Sequence, residues 1–388
     1  MQLSVVILNY NVRYFLQLCL SSVQKAIQNI DAEIIVVDNL SPDDSCQMVR
    51  EHFPEVKLIE NKENFGFPKG NNIGVQQASG KYICILNPDT VVAEDTFIKL
   101  IQFANNQQEL GVIGCKLIDG SGKFLPESKR GIPTPFTAFA KIFSLYKFFP
   151  KNKKFGQYYA SQIAENQTAK VDVLVGAFMF LEKETYEKIG GFDEQYFMYG
   201  EDIDLSYSVL KIKKNNFYFP ETTVIHYKGE STARNKKYLR HFQEGMNLFY
   251  QKHFQPSVFF KTFMKVGSFA FSLLKTVEGN QNHNKNVSQY ILLSENQQLQ
   301  KKIAITLKKN VTLATFGTEK DLISQTFSRD MPTEIIFDES HLSFKQMITL
   351  MEQWRHLNVS FKIALSGQNF IIGSNHSESK GNIIKFYK

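Results

Sequence analysis

The chain has few cysteines: four in 388 residues, at Cys19, Cys46, Cys84 and Cys115, with no C-x-x-C pair among them. That spacing argues against a zinc ribbon or a disulfide framework and leaves reduced, buried thiols. Long hydrophobic runs are missing too. The longest strongly apolar window, 266–274 (VGSFAFSLL), falls well short of the ~20 residues that span a bilayer. The opening residues, MQLSVVILNYN, carry no basic region and only a short apolar run, so they do not read as a secretory leader. N-x-S/T triplets such as those at Asn166 and Asn310 are then chance matches in an Asn-rich chain. Nor is there an excess of one charge. Lys and Arg number 45 against 38 Asp and Glu, a net +7 that is too weak to nominate nucleic acid without clustering. Tryptophan is nearly absent, with one residue against 34 Phe and 16 Tyr. What remains is an ordinary globular composition, long enough for two or three domains. A cytoplasmic protein that touches a membrane surface without crossing it is expected.

The first 120 residues alternate apolar runs with helical patterns. Residues 3–8 (LSVVIL) are a continuous apolar run stopped by Asn9-Tyr10-Asn11, which reads as a buried strand. Leu16, Leu20, Val23 and Ile27 follow at helical spacing. Strands are predicted again at 33–37, 57–60 and 81–86, with helices from Asp43 and over 70–79. Such alternation predicts a parallel α/β sheet with right-handed crossovers, whose ligands sit beyond the carboxyl ends of the strands. Asn9, Asp38 and Asp89 all lie at such ends. Further on, 171–181 (VDVLVGAFMFL) is strand-like, and 279–290 (GNQNHNKNVSQY) is the best linker. Beyond it, strands at 311–315, 334–337 and 359–365 and helices at 320–327 and 343–357 predict a second, smaller α/β unit.

Four constellations could carry chemistry. Asn87-Pro88-Asp89-Thr90 puts a carboxylate at a strand end, where it could hold Mg²⁺ or Mn²⁺ or equally cap the helix that starts near Glu94. Glu201, Asp202 and Asp204 crowd three carboxylates after Gly200. They fit a metal or a tuned base, and they also fit an acidic helix N-terminus. The aromatic wall of Tyr196, Phe197 and Tyr199 ahead of them favours the functional reading. His226, in VIHYKGES, is weak by itself. The stretch from Gly66 to Gly74 (GFPKGNNIG) matches neither the dinucleotide nor the P-loop fingerprint. It suits a phosphate at a helix start, or simply a tight turn.

Taken in order, S-V-V-I-L-N-Y-N, V-V-D-N-L-S, N-F-G-F-P-K-G-N-N-I-G, L-N-P-D-T, G-A-F-M-F, F-M-Y-G-E-D-I-D-L-S and V-I-H-Y-K-G-E-S resemble the family 2 glycosyltransferases of GT-A fold, closest to the rhamnosyltransferase-like branch. The resemblance covers residues 1–255. It implies that Asp38 contacts the nucleobase, with Asn9 and Tyr10 lining the same pocket and Lys69 and Asn71 in the loop that approaches the nucleotide. Asp89 matches the last acid of the family's metal-binding D-x-D motif. Asn87 replaces the first, so His226 gains weight as a second metal ligand. Gly176 and Ala177 match the segment beside donor sugar and acceptor, with Asn87 and Tyr199 nearby. Asp202 matches the catalytic base, supported by Glu201 and Asp204.

The implied activity is an inverting, Mg²⁺- or Mn²⁺-dependent transfer of a sugar, with rhamnose the leading candidate, from a nucleoside-diphosphate sugar to a glycan or polyprenyl-linked acceptor. Transfer of galactofuranose or glucose is the rival within the class. A non-catalytic nucleotide-sugar-binding or interaction module is the rival outside it. A nucleotidyltransferase is disfavoured because VILNYNVRYF lacks a glycine- and Arg/Lys-rich first loop. Residues 256–290 are expected to be an aromatic, basic segment and linker. Residues 291–388 resemble the Rossmann-like halves found beside some polyprenyl-phosphate sugar transferases but lack a glycine fingerprint, and an interaction or regulatory module is expected. The Phe- and Lys-rich stretches 134–154 and 256–277 suit docking on an anionic membrane, or equally two core-packed helices. No nucleic-acid partner is expected.

Overall fold

The computed structural model describes residues 1–134, 157–229, 236–254, 287–315, 331–374 and 381–386. The expected α/β architecture, a GT-A unit followed by a small second α/β unit, is the one observed. Its first half is β1 (Leu3–Asn9), α1 (Arg13–Ile27), β2 (Ala32–Asp38), α2 (Ser45–His52), β3 (Lys57–Glu60), α3 (Gly66–Gln76) and β4 (Tyr82–Leu86). β1 lies parallel between β2 and β4, and β3 extends the sheet beyond β2. The continuous apolar run of β1 is explained by its two covered faces. Leu3, Val5 and Ile7 enter the core shared with α1, whereas Val6 enters the core on the opposite face. Each such side chain contributes roughly 1.5–3 kcal/mol on burial.

The second half adds β5 (Thr90–Val91), α4 (Thr96–Asn105), β6 (Leu110–Ile118), β7 (Ala169–Val171), β8 (Phe178–Glu182), α5 (Lys183–Lys188), α6 (Glu201–Lys211), β9 (Asn215–His226) and α7 (Lys236–Phe254). The sheet order is β3-β2-β1-β4-β8-β6-β9-β5, with β7 on β9. β8 runs antiparallel to β4 and β6. The crossover side changes between β1 and β4, and such a reversal opens a crevice at the carboxyl ends. Two expectations shift here. α3 begins at Gly66, four residues earlier than read, and the run 171–181 splits into β7 and β8 with a loop between them.

The second unit comprises β10 (Gln289–Leu293), α8 (Gln297–Leu307), β11 (Val311–Ala314), β12 (Thr333–Asp338), α9 (Phe344–Trp354), β13 (Val359–Ala364), β14 (Phe370–Gly373) and β15 (Asn382–Lys385). Its order is β11-β10-β12-β13-β14-β15, parallel through β13 and antiparallel beyond. α9 starts at a capping box made by Ser343 and Gln346 and buries Phe344, Met347, Ile348, Met351 and Trp354 at helical spacing. β10 takes up the end of the stretch read as linker, and β14 and β15 have no counterpart among the expected strands. The helix expected at 320–327, and nearly all of the two Phe- and Lys-rich stretches, lie outside the described residues. Among the described residues, no helix is long and apolar enough to cross a membrane. All four cysteines are free, three of them buried, and burial pushes the Cys19 thiol up to about 12.

Candidate active site

Three groups of polar side chains gather along the carboxyl edge of the first sheet. The first ties the ends of β1 and β2. Asn9 donates from Nδ2 to Asp38 Oδ2 at 2.7 Å and to Ser41 Oγ at 3.1 Å. Ser41 donates its backbone N–H to Asp38 Oδ1 at 2.8 Å and its hydroxyl to Oδ2 at 2.6 Å. Both oxygens of Asp38 are therefore engaged within the protein, while Asn9 Oδ1 is buried without a partner. Tyr10 is 37% exposed beside them. The sequence reading missed Ser41, whose place in the Asp38 turn is an ordinary capping pattern.

The second group joins β4 to β9. Thr90 pairs with His226 and Val91 with Ile225, which brings two residues far apart in the chain to one spot. His226 Nε2 lies 3.4 Å from Asp89 Oδ1 and 3.4 Å from Asn87 Nδ2. Asp89 and His226 are 4% and 5% exposed, yet Asp89 Oδ1 and His226 Nδ1 have no hydrogen-bond partner. Leaving buried polar atoms unpaired costs roughly 1–3 kcal/mol each, so such atoms ask for a reason. Beside them Lys228 pairs with Glu127. Burial pushes the Glu127 carboxyl up, but the charge of Lys228 outweighs it and holds the group below the usual carboxylate range.

The third group surrounds Asp202. Its Oδ2 accepts from Arg130 Nη2 at 2.5 Å and from the Gly176 N–H at 3.1 Å, and Oδ1 accepts from the Ile203 N–H at 2.8 Å. Arg130 also donates to the Leu174 carbonyl at 3.0 Å. It reaches the site because its backbone bridges to Val173 in the loop between β7 and β8. Burial works against the guanidinium charge, but Asp202 more than offsets this and keeps it firmly protonated. Glu201 is buried alongside. Burial, reinforced by the Asp202 charge, pushes its carboxyl up to about 8. The Asn87 N–H donates to the Ala177 carbonyl at 3.0 Å, so the second and third groups share a backbone contact.

The three acids of α6 do not act as one cluster. Successive helix positions turn by about 100°, so Asp204 faces away from Asp202. It accepts from His253 Nε2 at 2.6 Å and Lys252 Nζ at 2.9 Å, both on α7, and lines a separate cleft with Asn72 and Asp193. The aromatic wall divides too. Tyr196 is buried in the core, Phe197 stacks on His241, and Tyr199 takes a left-handed φ of 71° before Gly200 at 94°. The Phe67 N–H donates to the Phe197 carbonyl at 2.8 Å, anchoring that turn to α3. Lys69 lies over the Phe65 ring at 3.9 Å, and Asn71 is buried with Nδ2 on the Phe67 carbonyl and Oδ1 unpartnered. Arg130 and Glu127 escaped the sequence reading because the segment 126–130 shows no strand or helix period, and Arg130 stands 72 residues from Asp202.

Residues 4–189 match the family model described as Glycosyl transferase family 2. Among characterised proteins, the chain is 26% identical over 244 residues to an N-acetylglucosaminyl-diphospho-decaprenol L-rhamnosyltransferase of Mycobacterium tuberculosis (strain ATCC 25618 / H37Rv). That match covers 60% of this chain and 78% of the relative. Rhamnosyltransferase WbbL of Escherichia coli (strain K12) is 27% identical over 219 residues, covering 53% of this chain and 78% of WbbL. A solved mannosyltransferase, PcManGT from Pyrobaculum calidifontis in complex with GDP-Man and Mn²⁺, is 15% identical and covers 72% of this chain and 76% of its own. Its TM-score of 0.47 is too slight a likeness to bear on function.

Proposed function

We propose that the protein is an inverting, divalent-metal-dependent glycosyltransferase. It moves a hexose of the rhamnose class from a nucleoside-diphosphate sugar to a glycan or polyprenyl-linked acceptor. The observation that carries this reading is the buried pair Asp89–His226, with an unsatisfied carboxylate oxygen, one backbone contact away from a carboxylate held by Arg130 and Gly176. Carboxylate oxygen, imidazole nitrogen and the Asn87 amide suit Mg²⁺ or Mn²⁺. The open valence at Asp89 Oδ1 fits such an ion. When bound, the ion would supply positive charge against the leaving diphosphate.

The protein's own residues supply the rest. Asp202 would accept the proton of the acceptor hydroxyl, since a carboxylate offers about four acceptor positions and three are filled. Arg130 and the Gly176 N–H fix its orientation. Asn9, Asp38 and Asn71 would line the nucleotide side of the crevice, as the resemblance of their motifs implies. A single displacement needs no covalent nucleophile, so the one carboxylate suffices for inversion.

The test is a panel of nucleoside-diphosphate sugars with Mn²⁺, scored by hydrolysis and by thermal protection. One donor should protect the wild-type chain and the Asp202→Asn variant alike, and only the wild type should turn it over. Equal turnover by both would remove Asp202 from the mechanism.

A further inference from the structure

We propose that the C-terminal unit is a positioning element for the Asp89–His226 pair, so that its docking sets the geometry of the metal-binding groups. The proposal rests on the metal reading of that pair. β5, which follows Asp89 directly, is only two residues long and sits at the edge of the first sheet. So short an edge strand holds its register poorly without support.

Its support comes from the second unit. Side chains alternate along a strand, so Val91 and Ile225 face away from Thr90 and His226. Both are fully buried, and they share one continuous core with Ile335, Phe337, Phe344, Met347 and Trp354. Tyr227, next to His226, lies in that same core and donates its N–H to the Asp89 carbonyl at 3.0 Å. One face of the strand pair thus belongs to the seam between the units, and the other carries the candidate ligands.

Polar contacts fix the register of the seam. Glu94 accepts the N–H groups of Phe344 and Lys345 at 2.7 and 2.9 Å, receiving the first turn of α9 on a residue of the first unit. Lys345 reaches Asp95 at 2.7 Å, and buried Lys116 reaches Glu352 at 2.7 Å. The backbones approach closely as well. A Cβ on Gly120 would lie 2.3 Å from the Ser374 carbonyl oxygen, and one on Gly122 would lie 2.1 Å from that of Met351. Neither unit can shift against the other without disturbing residues one or two positions from Asp89 and His226.

Gly120→Ala in the full-length chain tests this, because a side chain there must push on Ser374 and on the Tyr227 ring. Three readouts are taken. The sole tryptophan, Trp354, lies in the seam, so its emission should move to the red as docking loosens. Hydrogen exchange of peptides spanning 88–93 and 223–228 should quicken at least tenfold. Affinity for Mn²⁺, followed by electron paramagnetic resonance of the free ion, should fall about fivefold. Shifted emission with unchanged exchange and Mn²⁺ affinity overturns the proposal, as does a variant with all three readouts at wild-type values. A wild-type chain that binds no Mn²⁺ overturns the metal reading, and this inference with it. It is told apart from failure of the coupling because Asp89→Ala, outside the seam, would then be equally inert. Where Gly120→Ala fails to fold, the milder pair Glu94→Gln with Lys345→Ala decides between the same outcomes by the same three readouts.

Discussion

The two sheets end alike and behave differently at those ends. In each, the chain builds outward from one strand and then crosses to its other side, between β1 and β4 in the first sheet and between β10 and β12 in the second. In each, an aspartate closes a strand, Asp38 of β2 and Asp338 of β12. At the second crevice both oxygens of Asp338 are engaged, as those of Asp38 are at the first. Ser294 donates to Oδ2 at 2.5 Å, and Ser340 donates both its N–H and its hydroxyl to Oδ1. At the first crevice the Asn9 and Asp89 Oδ1 atoms and His226 Nδ1 make no hydrogen bond. Topology provides a crevice in both units. Unspent hydrogen-bonding capacity distinguishes the one read as a site.

The sharpest break of that comparison is Asp202→Asn. It keeps the Arg130 and Gly176 contacts partly intact but removes the proton acceptor, so turnover should fall by roughly 10²–10⁴ with donor binding retained. Steady-state rates beside a donor thermal shift measure this, and unaltered kcat would refute the role of Asp202.

Next in size is the contrast between Asp89 and Asp338. Asp338→Ala strands two serines and should cost about 1–3 kcal/mol in denaturant unfolding, with Mn²⁺ binding untouched. Asp89→Ala removes a buried, poorly satisfied carboxylate and should leave stability nearly unchanged or raised, while Mn²⁺ binding is lost. Excess EDTA should abolish wild-type activity and leave the unfolding curve of Asp89→Ala where it was. If both aspartates behave alike, the contrast between the two crevices is wrong.

A smaller effect concerns Glu201. Its carboxyl stands at about 8 in the folded protein, raised by burial and by Asp202, against an ordinary value of 4.5. As pH rises through that interval the unfolded chain loses its proton first, so stability drains away between about 4.5 and 8. Glu201→Gln abolishes this drain. The Tm difference between variant and wild type should grow across that window and level off above it; a difference independent of pH would contradict the assignment.

Much of this was legible in the chain. LSVVIL had to be a strand covered on both faces, and the strand EIIVV had to give way to a turn at Asp38. L-N-P-D-T and V-I-H-Y are weak alone and nominate Asp89 and His226 only through the ordered resemblance; the β5–β9 pairing brings the two together. The side chains around Asp202 were not legible. Whether Glu201, Asp202 and Asp204 converge depends on helix phase relative to α7, and Arg130 arrives through a loop bridge with no period to read. β14 and β15 were missed because four-residue strands separated by polar loops leave little alternation to detect. The seam was invisible for a further reason: Val91 and Ile225 look like ordinary core residues until a second domain is known to cover them.

Gly245 sits inside α7, where alanine would ordinarily make a better helix by about 1 kcal/mol. Here a Cβ would stand 1.9 Å from the Tyr199 carbonyl oxygen, in the turn that leads into the Asp202 helix. The usual stabilising substitution should therefore reverse its sign, lowering the melting temperature. The helix gives up intrinsic order so that the turn can rest against it. A side chain larger than hydrogen does not fit at this position, and any movement of the turn must carry the helix with it.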